Sequence, residues 1–417
     1  MPVVKAGLRV AALIAICAAA FVLDVALMHA MTSLLHMNDF GKFYYSAQAF
    51  LDGGDMYAPN PATNLRFVEA PELQFLNMNP PHFHLLVLPL ARLQPDVAVS
   101  IWLAVSLTAL VVSILVIGRE VNAAWTPTAV LAAAAGSLAF AGTQSFFATG
   151  NLSLLLLLAL TICWAAARHG RWTMAAVWLG ACLSVKPFLL IFAPYLLLTK
   201  RFRPLVVAVA TAALCFAVGS LIFGGDAYRS WYGALAQSGD WAWGVMNASF
   251  FSIFRRAFDA QPIGTPLVIA PAVVKGWLVA AAIVGIVTLG FTVRDRGRNA
   301  VDRAFALLLV AAQLMSPLGW IYYLWLPAGP IAALALKLRN REVAQAFRPA
   351  DAALKRCATF RHLLALIAAI GFVWPMPLLL AFRTHAWATL TIASVYFWAT
   401  LALWVWLLAS RDQRSPA

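Results

Sequence analysis

The stretch NDFGKFYYSAQAFLDGGD, residues 38–55, follows a long apolar run and carries Asp39, an acidic side chain of a type that can do acid–base work. At the start of a helical pattern the same residue also serves as an N-cap, and both readings stand. Lys186, in LSVKPFLLIFAPYLLL, lies between two short apolar runs. An ammonium there is costly unless it snorkels to headgroups or faces a cavity, where it suits a phosphate. NASFFSIFRR offers Asn247, Arg255 and Arg256. Arginine makes bidentate phosphate contacts, although attraction to anionic headgroups needs only the charge. His82 and His84, in NPPHFHLLVLPLARL, read equally as phosphate or proton contacts and as interfacial histidines facing water. Asn151 opens the apolar run of GNLSLLLLLAL, where a polar cap is expected, and Tyr322 belongs to SPLGWIYYLWLP, an aromatic belt or a sugar platform.

Metal chemistry has no footing in this set. HExxH spacing is missing, and the DGGD at 52–55 is not a D-x-D pair, so neither a metal nor a cofactor is expected. The five cysteines fall mostly in apolar runs without paired spacing and read as small buried hydrophobes.

The elements that position these residues are membrane helices. Of 417 residues 63% are hydrophobic and only 11% charged, with a mean hydropathy of +0.82. That composition lacks the polar surface a soluble chain needs. A span needs about 20 apolar residues. Candidates fall near 7–29, 95–118, 125–143, 151–167, 172–185, 186–199, 204–223, 266–292, 301–317, 319–336, 361–381 and 386–409. The expectation is therefore one all-α polytopic domain, 1–417, of about twelve transmembrane helices, the first a retained anchor rather than a cleaved signal. The run 82–93, interrupted by Pro89, is too short to cross.

The net charge of +14 does not point to nucleic acid, because the basic residues sit in short clusters between apolar runs. With the N-terminus inside, most of them, including the basic 337–361 segment, fall in cytoplasmic segments, as the positive-inside rule requires. Both termini are then cytoplasmic, and the two long polar loops, 30–94 and 224–265, are outside. The pattern of Phe40, Tyr44, Ala47 and Leu51 predicts an amphipathic helix in the first loop, lying in the interface with its aromatics at headgroup depth. A second is expected in the later loop. Asn151-Leu152-Ser153 and Asn247-Ala248-Ser249 match a glycan-acceptor triplet but are discounted as such.

The ordered motifs NDFGKFYYSAQAFLDGGDMY, NPPHFHLLVLPLARL, GNLSLLLLLAL, GACLSVKPFLLIFAPYLLL, NASFFSIFRR and SPLGWIYYLWLP resemble glycosyltransferase family 87 over roughly 35–335. The resemblance implies a C-type glycosyltransferase fold in a bacterial inner membrane and a polyprenyl-phosphate-linked sugar donor, commonly mannose. It also implies an outer-face acceptor (a glycan, a glycolipid or another hydroxyl compound) and a base in the first outer loop, here Asp39. The rival class is a transporter or flippase of lipid-linked or small polar substrates. Such a protein would show broken helices in both halves at midplane depth, whereas here the polar breaks gather on one face.

Overall fold

The sequence AVDRAFALLLVAAQLM is apolar around its whole circumference, and a helix of that kind needs protein on every side. In the computed structural model it forms helix Ala300–Met315, and every residue from Asp302 to Leu314 is buried. Helices Gly276–Arg294, Val395–Ala409, Ser153–Arg168 and Ala328–Gln345 pack on it. Trp172–Val185 joins the bundle between Ser153–Arg168 and the long helix Phe202–Ala236, and Pro95–Glu120 covers the other side of Ser153–Arg168. The described residues are 38–60, 76–261, 264–345, 352–375 and 385–410, with isolated positions between 11 and 26 and at 379. They hold no strand, only an isolated bridge between Asn247 and Trp320. The expected first span near 7–29 and the middle of the 337–361 segment lie largely outside them.

The all-helical expectation holds, whereas twelve full-length spans do not appear. Among the described residues four helices are long and apolar enough to cross a membrane, five if a bent pair counts as one. The bent pair, Pro127–Ala139 and Ala141–Thr149, turns by 59° within what reads as the single span 125–143. Several other expected spans become helices of 10–17 residues, among them Ser153–Arg168, Trp172–Val185 and Pro187–Leu198. The cause is local. Gly170 at φ +74° closes a tight turn after Arg168, and Pro187 turns Pro187–Ile191 into a 3-10 segment.

Phe202–Ala236 would be about 50 Å long if straight, far beyond a hydrocarbon core of roughly 30 Å. Gly224, at φ +77°, breaks it where the sequence predicts the span to end. Tight packing also needs Gly180, where a Cβ would lie 2.3 Å from the Ala208 carbonyl oxygen. Outward apolar positions such as Leu214, Leu221, Val279 and Ile286 are exposed, as lipid-facing residues must be.

The helix in the first loop forms as expected, Asn38–Leu51, but its aromatic face packs on protein rather than being left open for headgroups. Phe40, Phe43 and Tyr44 are buried among Trp102, Phe83 and the 3-10 turns Pro81–Leu86 and Leu90–Arg92. Three aromatic rings with protein available on that side gain more from packing than from headgroups. In the later loop Phe250–Phe258 is amphipathic with its polar side inward: Ser252 and Arg256 are buried, while Phe251 and Phe254 are partly exposed.

The bundle carries polar groups at its two ends. Ser153–Arg168 starts near Asn151 and ends in an ionic cluster, and Ala300–Met315 runs the opposite way, from Asp302 to Met315. In the cluster Asp302 accepts from Trp164 Nε1 at 3.0 Å, from Arg168 at 3.0 Å and from Lys337 at 3.2 Å. Arg168 also pairs with Glu120 at 3.0 Å, and Arg303 pairs with Asp295. Replacing Asp302 by Ala removes the shared acceptor from two cations. At a site this buried the expected loss is on the order of 3 kcal/mol. The unfolding midpoint of the purified chain in detergent should fall accordingly, and an unchanged midpoint would show the cluster to be ornamental.

Candidate active site

At the other end of the bundle is a cavity of about 770 Å³. Its wall takes residues from six separate parts of the chain: Asp39 and Lys42, Asn79, Asn151, Lys186, the 241–261 segment, and Tyr322 with Tyr323. The remainder is largely apolar and includes Leu190, Pro194, Leu235, Leu289 and Met315. A mostly apolar cleft with a few convergent polar groups is what a small-molecule or lipid site looks like.

Asp39 lies in the first described turn of Asn38–Leu51, within the helix rather than at a cap. Its carboxylate pairs with Lys42, one turn on, at 2.6 Å, and Tyr322 is close enough to feel its charge. An i,i+3 spacing brings two such side chains together on a helix. The carboxylate is therefore oriented from two sides and remains on the cavity wall.

Lys186 caps the C-terminal end of Trp172–Val185, where Pro187 stops the helix. Its ammonium donates to Asn79 Oδ1 at 2.8 Å and lies 5.6 Å from the centre of the Tyr323 ring. Asn79 is itself fixed. Its backbone N–H and its Nδ2 both donate to Asn77 Oδ1, at 3.1 and 3.2 Å, and its carbonyl accepts from Tyr57 Oη at 2.6 Å. Asn77 Nδ2 then donates to Ser46 at 2.8 Å and to His84 Nε2 at 2.6 Å. A ring nitrogen that accepts must be unprotonated, so His84 is neutral and its Nδ1–H donates to the Pro81 carbonyl at 3.3 Å.

The two histidines are not on the cavity wall. His84 is fully buried behind it as the last member of the relay that holds Lys186. His82 packs against Phe216 and contacts Tyr228 Oη at 3.1 Å, beside Gly219 of the long helix. Burial lowers both pKa values from 6.5 to about 4.

Asn151 lines the cavity but also opens its helix, with Oδ1 accepting from Ser153 N–H at 3.0 Å. Asn247 makes the same turn, accepting from Ser249 N–H at 3.2 Å, and is fully buried. It also accepts from Gly319 N–H at 2.9 Å and donates to the Pro317 carbonyl at 2.8 Å, tying the 244–249 segment to the 316–320 turn. Neither asparagine is open to a modifying enzyme. Arg255 faces away from the cavity and pairs with Asp259 at 3.0 Å, whereas Arg256 is buried on the cavity wall. Successive residues on a helix point about 100° apart, which decides between the two.

Lys42, Asn77, Asn79, Trp241, Trp243 and Trp320 are the positions that reading by motif passed over. Lys42 carried the i,i+3 signal from Asp39, and Asn77-Met78-Asn79 preceded two prolines, a turn signal. The tryptophans carried none beyond their type. No cluster of three or more metal-ligating side chains occurs among the described residues.

The His84 relay predicts a pH dependence. The folded pKa lies below the unfolded one, so the contribution to stability is complete above pH 6.5 and is lost as pH falls toward about 4. A displacement of that size amounts to roughly 3 kcal/mol for one fully buried group. His84→Gln keeps an acceptor for Asn77 and removes the titration. The thermal midpoint of the variant in detergent should fall less steeply between pH 6.5 and 4 than that of the wild type. Parallel curves would rule out the neutral, accepting His84.

No curated protein and no solved structure matches the chain. A family model does, from the asparagine behind Lys186 to the proline before Tyr322, and it stops short of both Asp39 and Tyr322. By that match over residues 77–317, this membrane protein belongs to glycosyltransferase family 87.

Proposed function

We propose that the chain transfers a sugar, mannose as the family resemblance implies, from a polyprenyl-phosphate donor to an acceptor hydroxyl, with inversion and with Asp39 as general base. The observation that carries this reading is that Asp39 and Lys186, remote in sequence, face one cavity whose other walls are largely apolar. Asp39 takes the hydroxyl proton as the acceptor oxygen forms its bond to the anomeric carbon. The bond from that carbon to the phosphate oxygen breaks, and the electron pair leaves with the polyprenyl phosphate. Negative charge then gathers on the phosphate, and Lys186 receives it from a position fixed in advance by Asn79. Lys42 and Tyr322 orient the base. The apolar wall around Leu190, Pro194 and Leu289 suits the prenyl chain.

Sidedness follows the same logic. Segments that the charge bias assigns to the outside supply the cavity, and those assigned to the inside supply the Asp302 cluster. That division supports a cavity opening to the outer face of a bacterial inner membrane, with both termini cytoplasmic. The short apolar helices then serve as thinned or broken crossings within a twelve-pass plan.

Asp39→Asn is nearly isosteric and retains a contact for Tyr322. In membranes supplied with radiolabelled polyprenyl-phosphate mannose, transfer is expected to drop at least about a hundredfold with normal expression. Equal transfer by both forms would remove Asp39 as the base. A wild type that transfers nothing from this donor would reject the donor.

A further inference from the structure

Arg256 presents a physical problem that the reaction scheme above does not use. It sits on the inward face of Phe250–Phe258 with 2% of its surface exposed. The two N–H groups of Nη1 are shared among the carbonyl oxygens of Gly244 at 2.8 Å, Trp243 at 3.3 Å and Asn247 at 3.3 Å, and Ser252 Oγ. Nε donates to Ser394 Oγ at 3.2 Å. Every one of these partners is neutral, and Nη2 has no partner in the protein. Among the described residues no carboxylate pairs with it, since the nearby Asp259 is engaged by Arg255. Desolvation lowers its pKa to about 9, which still leaves it charged at neutral pH. A buried, charged guanidinium with one edge unused calls for an anion.

The position of that anion relative to Asp39 can be traced through contacts. Arg256 bonds Gly244, a Cβ on Gly244 would touch the Trp320 ring at 3.2 Å, and Trp320 stacks with Tyr322 at 6.4 Å between centroids. Tyr322 reaches Asp39. Two stacked rings therefore separate Arg256 from the base, about the footprint of a sugar, while Lys186 stands on the Tyr323 side.

We propose that Arg256 forms a second anion site in the cavity, where Nη2 receives an oxygen of a phosphate or carboxylate group carried by the acceptor, beyond a sugar resting on Trp320 and Tyr322. The anion site stands on the geometry of Arg256 alone; its assignment to the acceptor rests on the transferase reading, in which the donor phosphate is at Lys186.

The test uses the purified full chain in detergent and its tryptophan fluorescence, to which Trp241, Trp243 and Trp320 on the wall contribute. Inorganic phosphate is titrated with and without saturating decaprenyl phosphate, and decaprenyl phosphate is titrated alone. Arg256→Lys keeps the charge and a set of donors for the carbonyls but lacks the guanidinium fork, so it removes the spare edge at the smallest expected cost to the fold. Arg256→Gln removes the charge as well. Phosphate is expected to bind the wild type whether or not decaprenyl phosphate is present, to bind both variants at least about tenfold more weakly, and to bind Lys186→Gln normally. Decaprenyl phosphate should lose affinity for Lys186→Gln and keep it for Arg256→Lys.

Phosphate binding to Arg256→Lys at wild-type strength, or none to the wild type, would overturn the anion site and leave Arg256 as a clamp on the 243–247 turn. If decaprenyl phosphate displaces phosphate and itself needs Arg256, the anion is the donor's and the acceptor assignment falls. If decaprenyl phosphate fails to bind any form, the donor reading fails, and the phosphate titration still decides Arg256.

Discussion

The hydrogen bond from Lys186 to Asn79, 2.8 Å long, joins a membrane helix end to the first loop, and much of the cavity depends on it. An ammonium with four methylenes behind it has many conformations and a strong preference for water. Fixing it inside an apolar bundle requires a partner that is itself immobile. Asn79 meets that demand only because Asn77, Tyr57 and, through Asn77, His84 hold it. The loop segment is held again by Trp231, whose Nε1 donates to the Met78 carbonyl at 3.1 Å. Tyr44 anchors the neighbouring helix by donating to the Leu93 carbonyl at 2.8 Å. A loop that reads as a polar excursion is thus built as a rigid wall, and the catalytic candidates Asp39 and Lys186 share one frame.

The opposite end of the bundle solves the same problem with opposite signs. Asp302 lies in the first turn of a helix buried on all sides, and three donors from other helices surround it. Arg168 is shared between Asp302 and Glu120 and stacks over Trp164 at 5.0 Å, so its charge is spread over two carboxylates and a ring. Both ends of Ala300–Met315 are thereby tied down, through Asp302 to other helices at one end and through Gln313, which donates to the Trp320 carbonyl of the following turn at 2.7 Å, at the other. Few charges are spent, and each has a place in the packing.

Much of this was legible in the sequence. Helix class, the helix at 38–51 and the break of the long helix after residue 223 all follow from periodicity and glycine. The aromatic face of 38–51 was misjudged because the same pattern serves a headgroup interface and a protein groove, and only the neighbours Trp102 and Phe83 decide. The span 125–143 was overread because the chain bends by 59° inside it, and the short runs 151–167, 172–185 and 186–199, whose bounds nearly match the helices, were counted as crossings although each is only 10–17 residues long. Among the candidate site residues, Asp39, Lys186, Arg256, Asn151 and Tyr322 converge on the cavity, whereas His82, His84, Asn247 and Arg255 do not. Residue type could not separate these groups. His84 and Asn247 satisfy backbone or amide partners that come from elsewhere in the fold, and such partners leave no mark in the local motif.

Arg255 and Arg256 make the point most sharply, because the two neighbours have identical chemistry and opposite situations. Arg255 meets Asp259 one turn on and is partly open to solvent, an arrangement that costs little and asks for nothing more. Arg256 turns inward against carbonyls that can accept from it but cannot neutralise it. Lys186 is intermediate, with a neutral amide partner, donors to spare and Asp39 close enough to feel its charge. An anion arriving at Lys186 need not displace Asn79, since an ammonium has three donors. An anion arriving at Arg256 breaks no hydrogen bond of Nη2, which holds no partner. Both cations are held in place before any substrate enters, so little ordering of the protein remains to oppose binding, which is the condition under which a few charges in an apolar cavity have their greatest effect.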